Sequence, residues 1–219
     1  MARPQITLKL ATSLDGKIAL SNEQSEWITG EAARKQGRHL RATHDAIAVG
    51  ANTAVIDNPQ LTTRLSGQPD PQRVVFDSQL RLSEQSNLVQ TAGQTPTLIF
   101  YDEAIDAKAS KLSNTDVRLL PILRTETGLE LTQAFDVLKR LGINSLLVEG
   151  GGTLAASVIK LGFVDVIEWF RASIILGGDG RDCIGALGFD TMDMAIRYER
   201  VEISEIGDDI YERYQRLAT

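Results

Sequence analysis

The chain has 219 residues, 42% of them hydrophobic and 24% charged, with 18 Gly and 6 Pro; at ~150 residues per domain this is about 1.5 domains, which favours one domain over two small ones, with enough apolar material for a core, and it excludes collagen-like, mucin-like and disordered chains. Lys and Arg number 23 and Asp and Glu 29, a net charge of −6 that argues against a general binder of nucleic acid or anionic membrane. A single cysteine, Cys183, excludes an internal disulfide, and with His39 and His44 the only histidines a structural zinc site is not expected.

Residues 5–10 alternate, with Ile6, Leu8 and Leu10 on one face and Thr7 and Lys9 on the other, the pattern of a half-buried strand with Lys9 near its C-terminal end. Residues 11–29 read as a polar loop carrying Ser13-Leu14-Asp15-Gly16-Lys17 and Ser25-Glu26-Trp27. Thr29-Gly30-Glu31, a hydroxyl cap followed by an acid, opens a helix that runs to about Ala42. On it Arg34, Arg38 and Arg41 share one face and Ala33, Gly37 and Leu40 a small, packable neighbouring one. Apolar runs at 46–49, 73–77, 97–101 and 117–122 suit buried parallel strands, a helical turn is expected at 52–55, and 65–72 is a loop. Residues 83–94 follow neither period.

Residues 131–141 form an amphipathic helix ended by Gly142. A strand at 145–149 enters Gly150-Gly151-Gly152-Thr153, a helix follows over 154–161, and a long strand covers 164–175. Leu176-Gly177-Gly178-Asp179-Gly180 is a flexible loop, and residues 195–206 and 210–217 form an antiparallel hairpin. Strands alternate with helices up to about residue 165 and then stand alone. The expectation is a single α/β domain over 1–219, three-layered, with a mixed sheet that is mostly parallel and carries an antiparallel C-terminal hairpin. No apolar run approaches ~18 residues, and the first residues lead into a strand rather than a signal peptide, so a soluble, cytoplasmic, metal-independent protein without a membrane span is expected.

The strand, three glycines and helix around 145–154 have the makings of a phosphate site, because glycines let backbone approach a ligand and a helix start offers free amides. The spacing is not G-x-G-x-x-G, and a tight turn with a glycine cap explains it equally. Glu149 sits where a strand end opens to the crevice of an α/β sheet, or else caps the next helix. Lys9 and Glu149 brought to one crevice would orient polar substrate groups and move a proton. The arginine row can clamp phosphate, although a solvated helix face is the plainer reading. Trp27 either stacks on a flat ring or closes the core edge. Asp57-Asn58-Pro59-Gln60-Leu61-Thr62-Thr63-Arg64 is turn-rich and sets Arg64 on a loop.

Taken in order, these segments closely resemble the pyrimidine reductases of riboflavin biosynthesis, a family with a dihydrofolate-reductase-like fold often fused behind a deaminase. The resemblance is carried by Leu8-Lys9-Leu10-Ala11-Thr12-Ser13-Leu14-Asp15-Gly16-Lys17, Ser25-Glu26-Trp27-Ile28-Thr29, Leu40-Arg41-Ala42, and Val49-Gly50 through Thr53. It continues through the 57–64 stretch, Arg73-Val74-Val75-Phe76-Asp77-Ser78, residues 143–155, Gly162-Phe163-Val164-Asp165 and Leu176-Gly177-Gly178, and so covers nearly the whole chain. It implies hydride transfer from NADPH to C1′ of a ribosylaminopyrimidine 5′-phosphate, without a metal, in a homodimer. By the same resemblance Lys9 and Glu149 are the catalytic pair, and Ser25, Arg41, Leu61, Arg64 and Glu149 bind substrate. Ala11, Trp27, Thr53, Asp57, Ser78, Gly151, Gly152 and Thr153 contact the cofactor. Two departures stand out: Ala172-Ser173 replaces a common Ala-Pro pair, and the stretch from Gly180 to Gly188 is unusual. No His-x-Glu or Pro-Cys-x-x-Cys of a deaminase is present, so the reductase alone is expected. The competing expectations are an NADPH-dependent reductase of this fold with another small substrate, and a nucleotide-binding module without turnover.

Overall fold

A run such as Ala46-Ile47-Ala48-Val49 has no polar face to offer solvent, and all four residues are completely buried. A computed structural model describes residues 2–217. In chain order the elements are β1 (Gln5–Thr12), β2 (Lys17–Ala19), α1 (Glu31–Ala42), β3 (Ala46–Gly50), α2 (Ala51–Ile56), β4 (Gln72–Phe76), α3 (Asn87–Gln90), β5 (Thr97–Asp102) and β6 (Arg118–Ile122). There follow β7 (Arg124–Thr125), β8 (Gly128–Leu129), α4 (Leu131–Arg140), β9 (Ser145–Glu149), α5 (Gly152–Lys160), β10 (Val164–Arg171), β11 (Arg181–Asp182), β12 (Tyr198–Ile206) and β13 (Asp209–Arg216). By its contacts the chain divides into two compact units, one of the residues up to Gln5 with Arg38–Leu147, the other of Ile6–Gly37 with Val148 onward.

In the first unit β3, β4, β5 and β6 pair in that order, all parallel. Phe76 stacks on Phe100 at 5.5 Å, and Phe135 of α4 meets Phe76 edge-on at 6.2 Å, so aromatic side chains hold this helix to the strands. The Glu130 side chain caps α4 by accepting from Thr132 N at 3.1 Å. At its other end Gly142 takes φ 85°, which lets Ile143 N–H reach the Leu138 carbonyl at 3.1 Å in a Schellman arrangement. The aperiodic stretch 83–94 holds one short helix, α3, that buries Leu88 and Val89. Arg124–Thr125 and Gly128–Leu129 add a small hairpin with no apolar signal in the sequence.

In the second unit β1 pairs parallel with β10, β10 antiparallel with β13, and β13 antiparallel with β12. Taken over both units the strand pairing is therefore mixed, mostly parallel with antiparallel C-terminal strands. The hairpin closes between Ile206 and Asp209 with Gly207 at φ 65°, the first position of a two-residue loop. β1 runs on to Thr12, and Thr7 is buried as fully as its apolar neighbours, so the strand is covered on both faces rather than half-buried.

The expected strand at 164–175 ends at Arg171. Beyond it Ala172 N still donates to Thr12 O, but Ile174 O accepts from Leu14 N, and the Asp15 carboxylate takes the N–H groups of Leu176 at 3.1 Å and Gly177 at 2.8 Å. The 13–17 turn thus draws the chain out of the sheet. Within the presumed loop, Lys17–Ala19 pairs with Arg181–Asp182, fastened by a Lys17–Asp182 ion pair at 2.5 Å. Ser173, where a proline is common in the resembling family, donates its hydroxyl to Asp208 O at 3.2 Å. No helix among the described residues is long and apolar enough to cross a membrane.

The Ser13 hydroxyl, then the Leu176 amide, bond the Asp15 carboxylate and hold its pKa at about 2 against an ordinary 3.8. A depressed carboxylate pKa stabilises the fold above its ordinary value and loses that contribution as pH falls through the folded one. The Leu176 and Gly177 amide shifts are therefore expected to hold through pH 4 and to move with a midpoint near 2 in an NMR titration. A midpoint at the ordinary aspartate value would mean that this clamp does not form.

Candidate active site

Lys9 projects from the middle of β1 and Glu149 is the last residue of β9. Their Nζ and Oε2 atoms lie 3.9 Å apart, with side chains 19% and 10% exposed. That is an ion-pair separation, not a hydrogen bond. The aliphatic stem of Lys9 rests against α1, where a Cβ on Gly37 would stand 3.6 Å from Lys9 Cε. The Phe170 ring centroid lies 5.9 Å from the ammonium. Sequence spacing could not bring residues 140 positions apart together; the fold of the second unit, which holds both, does.

After Glu149 the chain turns through Gly150 and Gly151 at φ 78° and 82°, conformations that strongly favour glycine. Gly152 has a different reason. A Cβ there would overlap the backbone carbonyl of Asp182, and Gly185 N donates to Gly152 O at 2.8 Å. The close approach that the glycine run permits is, at Gly152, an approach of the chain itself. The N-cap of α5 is Gly151, which has no side chain with which to bond the first-turn amides, and Thr153 is exposed there.

Trp27 is 67% exposed and so does not close the core. The Arg34 guanidinium sits 4.4 Å from its ring centre and also donates to Thr29 O at 2.5 Å. Ser25 is exposed on the same loop, and Ala11 is half-buried on β1 opposite Phe170. The arginine row is thus only partly a solvated face, since Arg34 braces the Trp27 loop and Arg41, on the first unit's part of α1, donates to Thr62 O at 3.0 Å.

The remaining candidates belong to the first unit. Thr53 lies in α2, and its carbonyl accepts from the N–H of Asp57, the helix C-cap. In the following loop Asn58, Leu61 and Arg64 all take positive φ, at 40°, 55° and 51°, which is costly for residues with a Cβ. Leu61 is buried and Arg64 exposed. Ser78 is half-buried just beyond β4.

Three features gave no signal that sequence reasoning used. Arg81 donates to Asn52 Oδ1 at 2.8 Å, near Ser78, and its Nε is 3.8 Å from Oδ1 of Asp77, a fully buried carboxylate. Arg73, fully buried, braces the 57–64 loop. Glu168, the strand neighbour of Lys9, is buried and accepts from Tyr211 Oη at 2.5 Å, with Arg213 Nε 3.5 Å away. Burial pushes the Glu168 pKa up, against the pull of Tyr211 and Arg213. A glutamate inside the apolar run 164–170 was the available clue.

An α/β fold with a mixed sheet, a shielded Lys–Glu pair and a glycine turn behind the glutamate is a scaffold that does not by itself define one activity. The sequence model of the RibD C-terminal domain matches residues 4–211, and the chain belongs to that family. It is 36% identical over 210 residues to the riboflavin biosynthesis protein RibD of Bacillus amyloliquefaciens, covering 94% of this chain and 56% of that protein. It is 34% identical over 216 residues to the 2,5-diamino-6-ribosylamino-4(3H)-pyrimidinone 5′-phosphate reductase of Methanothermobacter thermautotrophicus, covering 97% of this chain and 98% of that one. A solved structure of Acinetobacter baumannii RibD superposes with a TM-score of 0.83 at 26% identity, over 99% of this chain and 59% of that one. The chain spans a little over half the length of the RibD relatives it matches.

Because a carbonyl of the main chain cannot swing aside as a flexible side chain can, Gly152→Ala is expected to cost about 1–3 kcal/mol in urea unfolding. Hydrogen exchange should quicken over 182–185. A variant as stable as the parent would show that the two segments are not in contact.

Proposed function

We propose that this chain is an NADPH-dependent reductase of riboflavin biosynthesis. It acts as a single reductase domain that converts a ribosylaminopyrimidine 5′-phosphate to its ribitylamino product. The observation that carries the reading is the shielded Lys9–Glu149 pair in a chain of the RibD C-terminal-domain family. The name borne by the full-length archaeal relative supports the substrate class.

The reaction needs the ribose opened to a Schiff base, so that C1′ becomes electrophilic, and one proton managed during reduction. Lys9 and Glu149 orient the opened sugar and handle that proton, a carboxylate accepting and an ammonium donating at hydrogen-bond range. Arg41 and Arg64 hold the 5′-phosphate or pyrimidine oxygens, a task suited to guanidinium forks, with Ser25 and Leu61 as further substrate contacts. The cofactor supplies the hydride when bound.

The residues fit such a cofactor. Trp27 offers an exposed flat ring, and the first turn of α5 at Gly151, Gly152 and Thr153 starts from a glycine N-cap with no side chain of its own to occupy the amides. Ala11, Thr53, Asp57 and Ser78 are its remaining contacts. Beside Ser78, the buried Asp77 carboxylate and Asn52 hold the guanidinium of Arg81, whose side chain is 47% exposed, as a receptor for a ribose 2′-phosphate. A homodimer in the cytoplasm completes the proposal.

Purified protein should oxidise NADPH only when a ribosylaminopyrimidine 5′-phosphate is supplied, in deaminated or undeaminated form. Lys9→Met and Glu149→Gln should each lower kcat by ~10²–10⁴-fold with NADPH still bound. Stimulation by neither pyrimidine would reject the reading. Arg81→Ala should raise the KM for NADPH about tenfold or more and leave that for NADH within about twofold, as loss of one charged phosphate contact requires. Equal changes for both cofactors would remove Arg81 from the 2′-phosphate.

A further inference from the structure

The 58–64 loop holds three non-glycine residues in the left-handed region, at Asn58, Leu61 and Arg64. Such conformations persist only where the surroundings over-determine them. Around this loop hydrogen bonds supply such constraints. Asn87 clasps Asn58 twice, its N–H donating to Asn58 Oδ1 at 2.8 Å and its side-chain amide to Asn58 O at 2.7 Å. Asp70 Oδ1 accepts from Thr63 N at 2.7 Å and from Thr63 Oγ1 at 3.0 Å.

Between these clasps sits Arg73 on β4, with no exposed surface. Its Nη1 donates to Gln60 O at 3.3 Å and to Thr91 Oγ1 at 2.7 Å. Its Nη2 donates to Leu88 O at 3.2 Å and Thr95 O at 2.6 Å, and its Nε is buried without a partner. Among the described residues every one of these acceptors is neutral. Burial holds its pKa down at about 10, with the Asp70 charge pulling the other way. A guanidinium buried on neutral oxygens is a poor device for stability, since an apolar side chain of similar volume would fill the space without desolvating a charge. What an apolar side chain cannot do is reach from the strand to the carbonyl of Gln60, the residue immediately before Leu61.

We infer that Arg73 is a positioning residue for substrate binding: its planar fork ties the Gln60 carbonyl to the α3 segment and so fixes the backbone from which Leu61 and Arg64 act. The inference rests on the assignment of Leu61 and Arg64 to the substrate. Lys at this position keeps the charge but presents a single point of donors in place of a fork.

Arg73→Lys tests it, with Arg73→Met as a second variant that removes the buried charge and keeps volume should the lysine fail to fold. In the folded variant, hydrogen–deuterium exchange over residues 58–65 should quicken about tenfold while β3 and β5 keep their protection, and the KM for the phosphorylated pyrimidine should rise about tenfold with kcat and the NADPH KM within about twofold. Exchange over 58–65 equal to that of the parent overturns the inference. So does a joint fall of kcat and both affinities, which would mark a structural role only. Arg64→Ala is the control for the underlying reading: if it leaves the substrate KM unchanged, the loop does not bind substrate and the positioning role falls with that reading, even where exchange has changed.

Discussion

An ammonium and a carboxylate 3.9 Å apart, both largely shielded from water, form the constraint on which the second unit turns. At an effective dielectric near 20 their attraction is worth about 4 kcal/mol, while removing each charge from water costs several kcal/mol. The pair therefore brings no net gain, and stability does not explain its presence. Position does. A residue in the middle of a strand backed by a helix has little freedom, and even a Cβ on Gly37 of that helix would make only ordinary contact with the Lys9 stem, at 3.6 Å. Glu149 is the last residue before a turn that only glycines make comfortably, so its backbone is set just as firmly.

That turn is itself held from outside. The 182–185 segment crosses Gly152, and the same segment is fastened to the 13–19 region through Cys183 N to Gly16 O and through Lys17 to Asp182. Asp15 gathers the preceding amides. The region following β10 is thus a strap whose anchor points are the turn after β1 and the turn after β9. This accounts for the small two-stranded β2–β11 sheet, which has little apolar surface of its own.

How much of this was legible follows the physics of each element. Buried parallel strands and amphipathic helices write themselves into the sequence as apolar runs and periodicity, and the Schellman ends at Gly142 and Gly162 are marked by the glycines that make them. The end of β10 was not legible, because Ile174 and Ile175 continue its apolar run although they are drawn out of the sheet by distant hydrogen bonds. β2 was hidden for the same reason, its partner lying some 160 residues away in a two-residue strand. The site candidates came from a family resemblance, and the Lys9–Glu149 approach needed coordinates. Spacing alone offered Gly152 as a phosphate cradle, whereas close packing of the chain on itself is the reason the structure gives for that glycine.

Three of the charges set into the interior share a pattern. Arg73 bonds only neutral oxygens, Asp77 is completely buried with Oδ1 lacking a hydrogen bond, and Glu168 depends on a tyrosine hydroxyl and a neighbouring arginine. None is arranged as a short carboxylate–guanidinium fork, the geometry that best offsets desolvation. Each instead braces a segment that carries a candidate site residue: Arg73 the loop of Leu61 and Arg64, Asp77 the turn of Ser78 and Arg81 through Leu82 N, Glu168 the strand beside Lys9. A loop with three residues in costly backbone conformations, or a lysine kept beside a glutamate, will not hold its geometry on local propensity. The interior polar groups supply the constraint that propensity lacks, and their cost in stability is the physical reason to look for function in what they hold.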